Sequence, residues 1–277
     1  MAVRSATTLL ALCVALMSVA AHAAQKEHAY TEVFYQSGGL RIQAYLFKPA
    51  GNGPFATVIY NHGARPGLER KSMPHEYVGQ MLANAGYLVL VPERRGYGSS
   101  DGTPYFTDVG NDHGSRMVAR LQDEAGDVLA ALDYLRAQPF VDLKRIGIMG
   151  WSFGGIMALL AASRSDVFAV AVDQAGGALS WDGNPALRDA LKEAARKINI
   201  PILLMVARND RTTESITALD EILNQRGTVH RAVIYDAFTP QHFKSAGAAG
   251  HAIFSAQGMD IWKKDVLDYF DRYLKPK

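Results

Sequence analysis

Gly150-Trp151-Ser152-Phe153-Gly154-Gly155 lies between Arg145-Ile146-Gly147-Ile148-Met149 and Ile156-Met157-Ala158-Leu159-Leu160-Ala161-Ala162. The preceding run is short, apolar and β-rich, as a buried strand would be. The following run is apolar all round, which suits a buried helix. A serine on the sharp turn between two such elements must take a strained backbone angle. Glycines two residues to either side let neighbouring chain approach closely enough to hold the turn. The pattern therefore predicts a nucleophile elbow, with the Ser152 hydroxyl pushed out at the carboxyl edge of a sheet and at the positive end of a helix. A serine that merely caps the helix is the alternative reading.

The rest of the chain supplies the sheet. Thr31–Gln36 and Leu40–Lys48 alternate apolar and polar residues, as an antiparallel edge pair does. Ala56–Tyr60, Leu88–Val91, Ile146–Met149, Phe168–Val172, Ile202–Val206 and Ala232–Tyr235 are continuous apolar runs, which predicts strands buried on both faces. Met117, Leu121, Ala125, Val128, Leu132 and Leu135 recur at helical spacing, and so do Trp262, Val266, Tyr269 or Phe270, and Tyr273. The sequence has no internal repeat and no long Gly/Ser linker. The expected fold is one doubly wound α/β domain with a mostly parallel sheet, spanning residues 24–277.

Residues 1–23 read differently. Arg4 gives a positive start, Leu9–Ala20 is apolar, and Ala21-His22-Ala23 is a small-x-small cleavage site. This is the pattern of a secretory signal cut after Ala23 or one residue later, which places the mature chain in a periplasm or outside the cell. Leu12, directly before Cys13, argues against a lipoprotein site. Removal of the segment takes away the only cysteine, so no disulfide is expected. With 29 basic and 27 acidic side chains the net charge is +2, a balance that argues against nucleic acid as the main partner. No stable membrane insertion is expected after signal removal. His75-Glu76 lacks the second histidine of a zinc-protease motif. Gly96-Tyr97-Gly98-Ser99-Ser100-Asp101-Gly102 has the wrong spacing for a phosphate loop and reads as a turn-rich loop.

A serine nucleophile needs a general base, and the base needs an orienting carboxylate. On a sheet with a serine elbow these follow in the order acid, then histidine, each on a loop beyond a strand. Asp210, in Ala207-Arg208-Asn209-Asp210 after the strand Ile202–Val206, is the expected acid; Asp173 is its rival. Two histidines follow the last strand. His251, after the small-residue turn Gly247–Gly250, is the expected base, and His242 is expected on the pocket wall. The backbone N–H of Phe153 and that of Ala64, in Asn61-His62-Gly63-Ala64, are the expected oxyanion donors, with Gly63 the neighbouring alternative.

These motifs together resemble the α/β-hydrolase superfamily, in its dienelactone-hydrolase-like and prolyl-oligopeptidase-like branch. The resemblance is carried by Asn61-His62-Gly63, Arg95-Gly96-Tyr97-Gly98-Ser99-Ser100, the elbow with its doubled glycine, Asp210 and Gly250-His251. It implies ester or amide hydrolysis through an acyl-enzyme, with no cofactor and no metal, on a small-molecule ester or short peptide. Dienelactone hydrolases proper use cysteine where this chain has Ser152. Prolyl oligopeptidases carry a large further domain, and the 277 residues here hold none of that size. The stretch between Val172 and Ile200 has room for a small flap only, so a shallow, fairly open pocket is expected. The sequence points first to an exported carboxylic-ester hydrolase. A small peptidase or amidase is the alternative, and a non-catalytic binding protein on the same fold is the reading from a different class.

Overall fold

The computed structural model describes residues 29–242 and 248–275. The N-terminal segment read as a signal, and Gly247 of the small-residue turn, lie outside the described residues. The strands are β1 (Thr31–Ser37), β2 (Leu40–Phe47), β3 (Phe55–Asn61), β4 (Leu88–Pro92), β5 (Val141–Trp151), β6 (Phe168–Gln174), β7 (Ile202–Ala207) and β8 (His230–Tyr235). They form one eight-stranded sheet in the order β1-β2-β4-β3-β5-β6-β7-β8. β1 and β2 pair antiparallel and β2 joins β4 antiparallel, while every pairing from β4 to β8 is parallel.

The helices are α1 (Glu76–Asn84), α2 (Tyr105–Val109), α3 (Ser115–Arg136), α4 (Phe153–Ala162), α5 (Pro185–Lys197), α6 (Glu214–Arg226) and α7 (Met259–Leu274). α3, α4, α5 and α6 pack against one another in that succession, and α1 and α7 make the other layer on the sheet. β7 is buried along its whole length, and β5 from Ile146 to Gly150, because both faces are covered. That is the cause of their unbroken apolar runs. The stripes read from Met117 to Leu135 and from Trp262 to Phe270 are buried as their spacing requires.

One expectation needs correction. The run Ala232–Tyr235 was read as buried on both faces, yet β8 is the sheet edge and half of its side chains are exposed, Ile234 at 43%. Apolarity there follows from β propensity at an edge rather than from coverage. The segment after β6, where the sequence leaves room for a small flap, is packed down and lines the cavity beside the elbow with Leu179, Ser180 and Asp182. Trp181 is 2% exposed, Asn184 caps α5 by accepting from Leu187 N–H at 2.9 Å, and α5 buries Leu187, Leu191, Ala194 and Ala195. Gly96–Gly102 is a turn-rich loop, closed by the Gly96 N–H donating to Asp101 at 2.8 Å. The five-residue helix α2 begins soon after it; it is too short for apolar periodicity to announce.

Candidate active site

Ser152 stands at the carboxyl end of β5 with φ 59° and ψ −118°, a region that ordinary side chains rarely occupy. The turn is over-determined by its neighbours. Ser152 N–H donates to Gln174 at the end of β6 at 2.8 Å, and Ile156 N–H returns to the Ser152 carbonyl at 3.1 Å. A Cβ on Gly154 would fall 1.8 Å from the Asn61 carbonyl oxygen, and one on Gly155 2.2 Å from Asp173 Oδ1. Only glycine allows β3, β6 and α4 to converge this closely. The hydroxyl is thereby held at the N-terminus of α4, where the helix dipole and unpaired N–H groups favour developing negative charge.

The β7 exit brings Asp210 to the same edge. Asp210 is 8% exposed; its Oδ1 accepts the Arg211 N–H at 2.7 Å, and its Oδ2 lies 2.7 Å from His251 Nδ1. The acid loop and the histidine loop are tied together twice. Asn209 and the backbone of Phe238 exchange two hydrogen bonds of 2.9 Å, and Gly250 N–H donates to Asn209 at 3.2 Å. A Cβ on Gly250 would meet Asp210 N at 2.6 Å, so this glycine, like those of the elbow, permits a close approach. The Asp210 carboxylate accepts from Nδ1, so in the neutral imidazole the lone pair that can act as a base is on Nε2. Nε2 has no hydrogen-bond partner among the described residues. The ring lies 5.8 Å from that of Trp151, the residue before the serine.

Gly63, just past the end of β3, closes the site from the other side. A Cβ there would sit 3.3 Å from Ser152 Cβ and 4.0 Å from its Oγ. The Ala64 N–H donates to no acceptor among the described residues. The Phe153 N–H opens α4 and so lacks an intrahelical partner.

Of the remaining sequence candidates, Asp173 is fully buried beneath α4. It accepts Gly176 N–H at 2.8 Å, has no contact with a histidine, and burial pushes its carboxyl up to about 7. His242 is exposed, has φ 60°, and is not among the residues lining the cavity beside the elbow.

That cavity encloses about 340 Å³. Phe153, Tyr105, Phe106, Met117 and Leu179 are its apolar lining, and His113, Ser180, Asp182, Asn184 and Arg211 its polar lining. Tyr105 meets the Phe153 and Phe106 rings edge-on at 4.9 and 5.0 Å. The sequence reading missed this wall, because it is built from the short helix α2 and the turn before α5. It also missed a buried ionic cluster under the site, made by Arg65, Glu93, Arg94, Arg120 and Glu124. The signal available was Glu93-Arg94-Arg95, three charges directly at the end of an apolar strand. Among the described residues no side-chain cluster could hold a metal ion, and no helix is long and apolar enough to cross a membrane.

Residues 75–184 match the prolyl oligopeptidase family. Dipeptidyl peptidase 8 of Mus musculus is 31% identical over 150 residues, which is 50% of this chain and 16% of that protein. Among solved structures, acylaminoacyl peptidase of Pyrococcus horikoshii superposes with a TM-score of 0.69 at 21% identity, over 89% of this chain and 42% of its own. Est1E from Butyrivibrio proteoclasticus, with ferulic acid bound, superposes at 0.64 and 18% identity, over 88% of this chain and 100% of its own. The chain thus spans a small part of the two peptidases and the full length of the third protein. With the sheet order and the elbow, the superpositions show the α/β-hydrolase fold, and within it residues 75–184 carry the prolyl oligopeptidase family pattern.

Proposed function

We propose that the chain is an exported serine hydrolase that cleaves carboxylic esters of small or medium acyl groups. The observation that carries the reading is the His251 Nδ1–Asp210 Oδ2 pair, with Nε2 unpartnered beside an elbow held at positive φ. In this mechanism Nε2 takes the Ser152 proton as Oγ bonds to the ester carbonyl carbon. The carbonyl oxygen becomes an oxyanion facing the Phe153 and Ala64 N–H groups. The tetrahedral adduct collapses, His251 gives its proton to the departing alkoxide, and the acyl group stays on Ser152. Water then repeats the sequence: its proton goes to Nε2, the acid leaves, and Ser152 regains its hydrogen. Asp210 stays ionised and holds the imidazole in the useful tautomer.

Preference for esters rests on the cavity: a slot next to Phe153, walled by Tyr105, Phe106, Met117 and Leu179, accepts an acyl group, with His113, Ser180, Asp182, Asn184 and Arg211 as its polar lining. A peptidase or amidase is the second reading, favoured by the match of residues 75–184 to the prolyl oligopeptidase family. A panel of p-nitrophenyl esters and aminoacyl p-nitroanilides separates them. Ester hydrolysis should exceed anilide hydrolysis by about a hundredfold or more in kcat/KM. Anilide turnover equal to or above ester turnover would assign the peptidase reading.

Export is supported by the Arg4, Leu9–Ala20 and Ala21-His22-Ala23 pattern. N-terminal sequencing of protein expressed from the full-length gene should begin at Ala24 or Gln25. An intact Met1 on cytoplasmic protein contradicts it.

A further inference from the structure

The hydrolytic steps leave the ionic cluster beneath Gly63 without a role, although its geometry is tightly constrained. Arg94 is 1% exposed and Glu124 0%, and Arg94 Nη1 lies 3.1 Å from Glu124 Oε2. Glu124 is held in turn by Arg120 Nε at 2.9 Å, and Arg120 reaches Asp108 on α2 at 2.9 Å. The other arm of the Arg94 fork, Nη2, donates to the Gly63 carbonyl oxygen at 3.1 Å. His62 Nδ1 lies 2.7 Å from that same oxygen, and His62 Nε2 lies 3.5 Å from the Arg94 backbone N–H.

These contacts fix the protonation of His62. Complete burial, followed by the nearby charges of Arg94 and Arg65, holds its imidazole well below the usual histidine range, so the ring is neutral. A carbonyl oxygen can only accept, so at 2.7 Å from the Gly63 oxygen Nδ1 carries the proton; Nε2 then accepts from the Arg94 N–H, with Glu93 Oε2 also 3.5 Å away. The Gly63 oxygen therefore receives two donors from below.

The consequence falls on the other half of the same peptide plane. The Gly63–Ala64 link is trans. In a trans peptide the C=O and N–H point in opposite directions. With the Gly63 oxygen drawn down to Arg94 and His62, the Ala64 N–H must point away from them, and it finds no acceptor among the described residues. Gly63 itself abuts Ser152, as the 3.3 Å contact of a Cβ there with Ser152 Cβ requires. The Arg94 guanidinium also lies 5.7 Å from the centre of the Phe153 ring, so one side chain touches both Phe153 and the carbonyl of the Gly63–Ala64 peptide.

We propose that Arg94, with neutral His62 as co-donor, is a positioning residue that presets the Gly63–Ala64 peptide so that the Ala64 N–H faces the oxyanion. A hole donor accelerates the reaction only when it is oriented before charge develops. An unanchored peptide could turn its carbonyl toward the oxyanion and repel it. Glu124 makes the device tenable, because an uncompensated buried guanidinium would be costly. The inference rests on the serine-hydrolase reading.

Arg94→Lys tests it. Lysine keeps a positive charge for Glu124 but has no fork to reach Gly63 at the same time. Active sites are titrated with a fluorophosphonate, and kcat and KM for a p-nitrophenyl ester are measured per titrated site. Affinity for a trifluoromethyl ketone, whose adduct carries an oxyanion, is measured in parallel. The expected result is a kcat about tenfold to a hundredfold lower with KM within about twofold, and ketone affinity lowered by the same factor as kcat. A purely structural role would lower the melting temperature or the number of titrated sites and leave kcat per site and ketone affinity within about twofold of wild type; that result overturns the proposal. Should Arg94→Lys fail to fold, the His62 pair decides. His62→Leu should lower kcat and ketone affinity together, and His62→Gln, which retains an N–H donor, should recover most of both. Equal behaviour of the two His62 variants contradicts the proposal. A wild-type protein that neither labels nor turns over ester would sink the underlying functional reading, a distinct outcome.

Discussion

Asp210 and Asp173 end neighbouring strands, yet their surroundings separate them. Asp210 accepts a backbone N–H on one oxygen and the His251 Nδ1–H on the other. Asp173 accepts only the Gly176 N–H, its Oδ2 has no partner, and burial raises it to about 7. Asp210→Asn is therefore expected to lower kcat by roughly a thousandfold or more, because an amide favours the wrong imidazole tautomer. Asp173→Asn should leave kcat within about threefold of wild type and act on stability instead. In the native state Asp173 holds its proton up to about pH 7, while an unfolded chain releases it near pH 3.9. Native protein thus binds more protons than unfolded between those values, so this group makes stability fall as pH rises from about 4 to 7. A melting-temperature series should show Asp173→Asn above wild type at pH 8, with the gap narrowing toward pH 4. A gap of constant size, or a crippled Asp173→Asn with an active Asp210→Asn, contradicts this division. At this scale the sequence made Ser152 legible, because Gly150, Gly154 and Gly155 record close backbone approach. Arg94 was not legible, since a buried arginine is spelled like an exposed one until its partner, Glu124, is brought over it.

The elbow is where two elements and a turn impose the most on single residues. A Cβ on Gly154 would overlap the Asn61 carbonyl oxygen of β3 at 1.8 Å, and both atoms belong to backbone that has nowhere to move. Gly126, inside α3, has nothing within 4 Å of the place where a Cβ would go. Gly154→Ala should destabilise by about 3 kcal/mol or more through overpacking. Gly126→Ala should stabilise by about 0.5–1 kcal/mol, by reducing the freedom of the unfolded chain and favouring helix. Denaturant melts measure both, and Gly126→Ala falling below wild type would contradict the packing seen around α3. Elements were legible wherever burial and periodicity coincide, as in β3 to β7, α3 and α7. They were misread at β8, whose apolar run sits on an edge, and missed at α2, which is five residues long. These last two depend on what lies alongside them in space, which a local window of sequence does not contain.

Over the whole molecule, the parallel sheet carries the exits of β3, β5, β6 and β7 to one edge, so that residues from Gly63 to His251 share a site. The doubly wound fold was legible because its strands announce themselves. Position alone does not choose between His251 and His242, since both follow the last strand; the small-residue turn before His251 favours it. Packing separates them: Gly250 docks on Asn209 and Asp210, which carries His251 inward, while His242 stays exposed. The cavity wall drew on α2 and the turn before α5, so the slot beside Phe153 could not be read from motifs. Fluorophosphonate labelling followed by mass spectrometry, run on wild type, Ser152→Ala, His251→Ala and His242→Ala, tests the proposed triad most directly. Wild type and His242→Ala should take one label on Ser152 at similar rates; Ser152→Ala should take none, and His251→Ala should label more slowly by roughly a thousandfold or more. A label carried elsewhere than Ser152, or His251→Ala reacting at the wild-type rate while His242→Ala is silent, would contradict it.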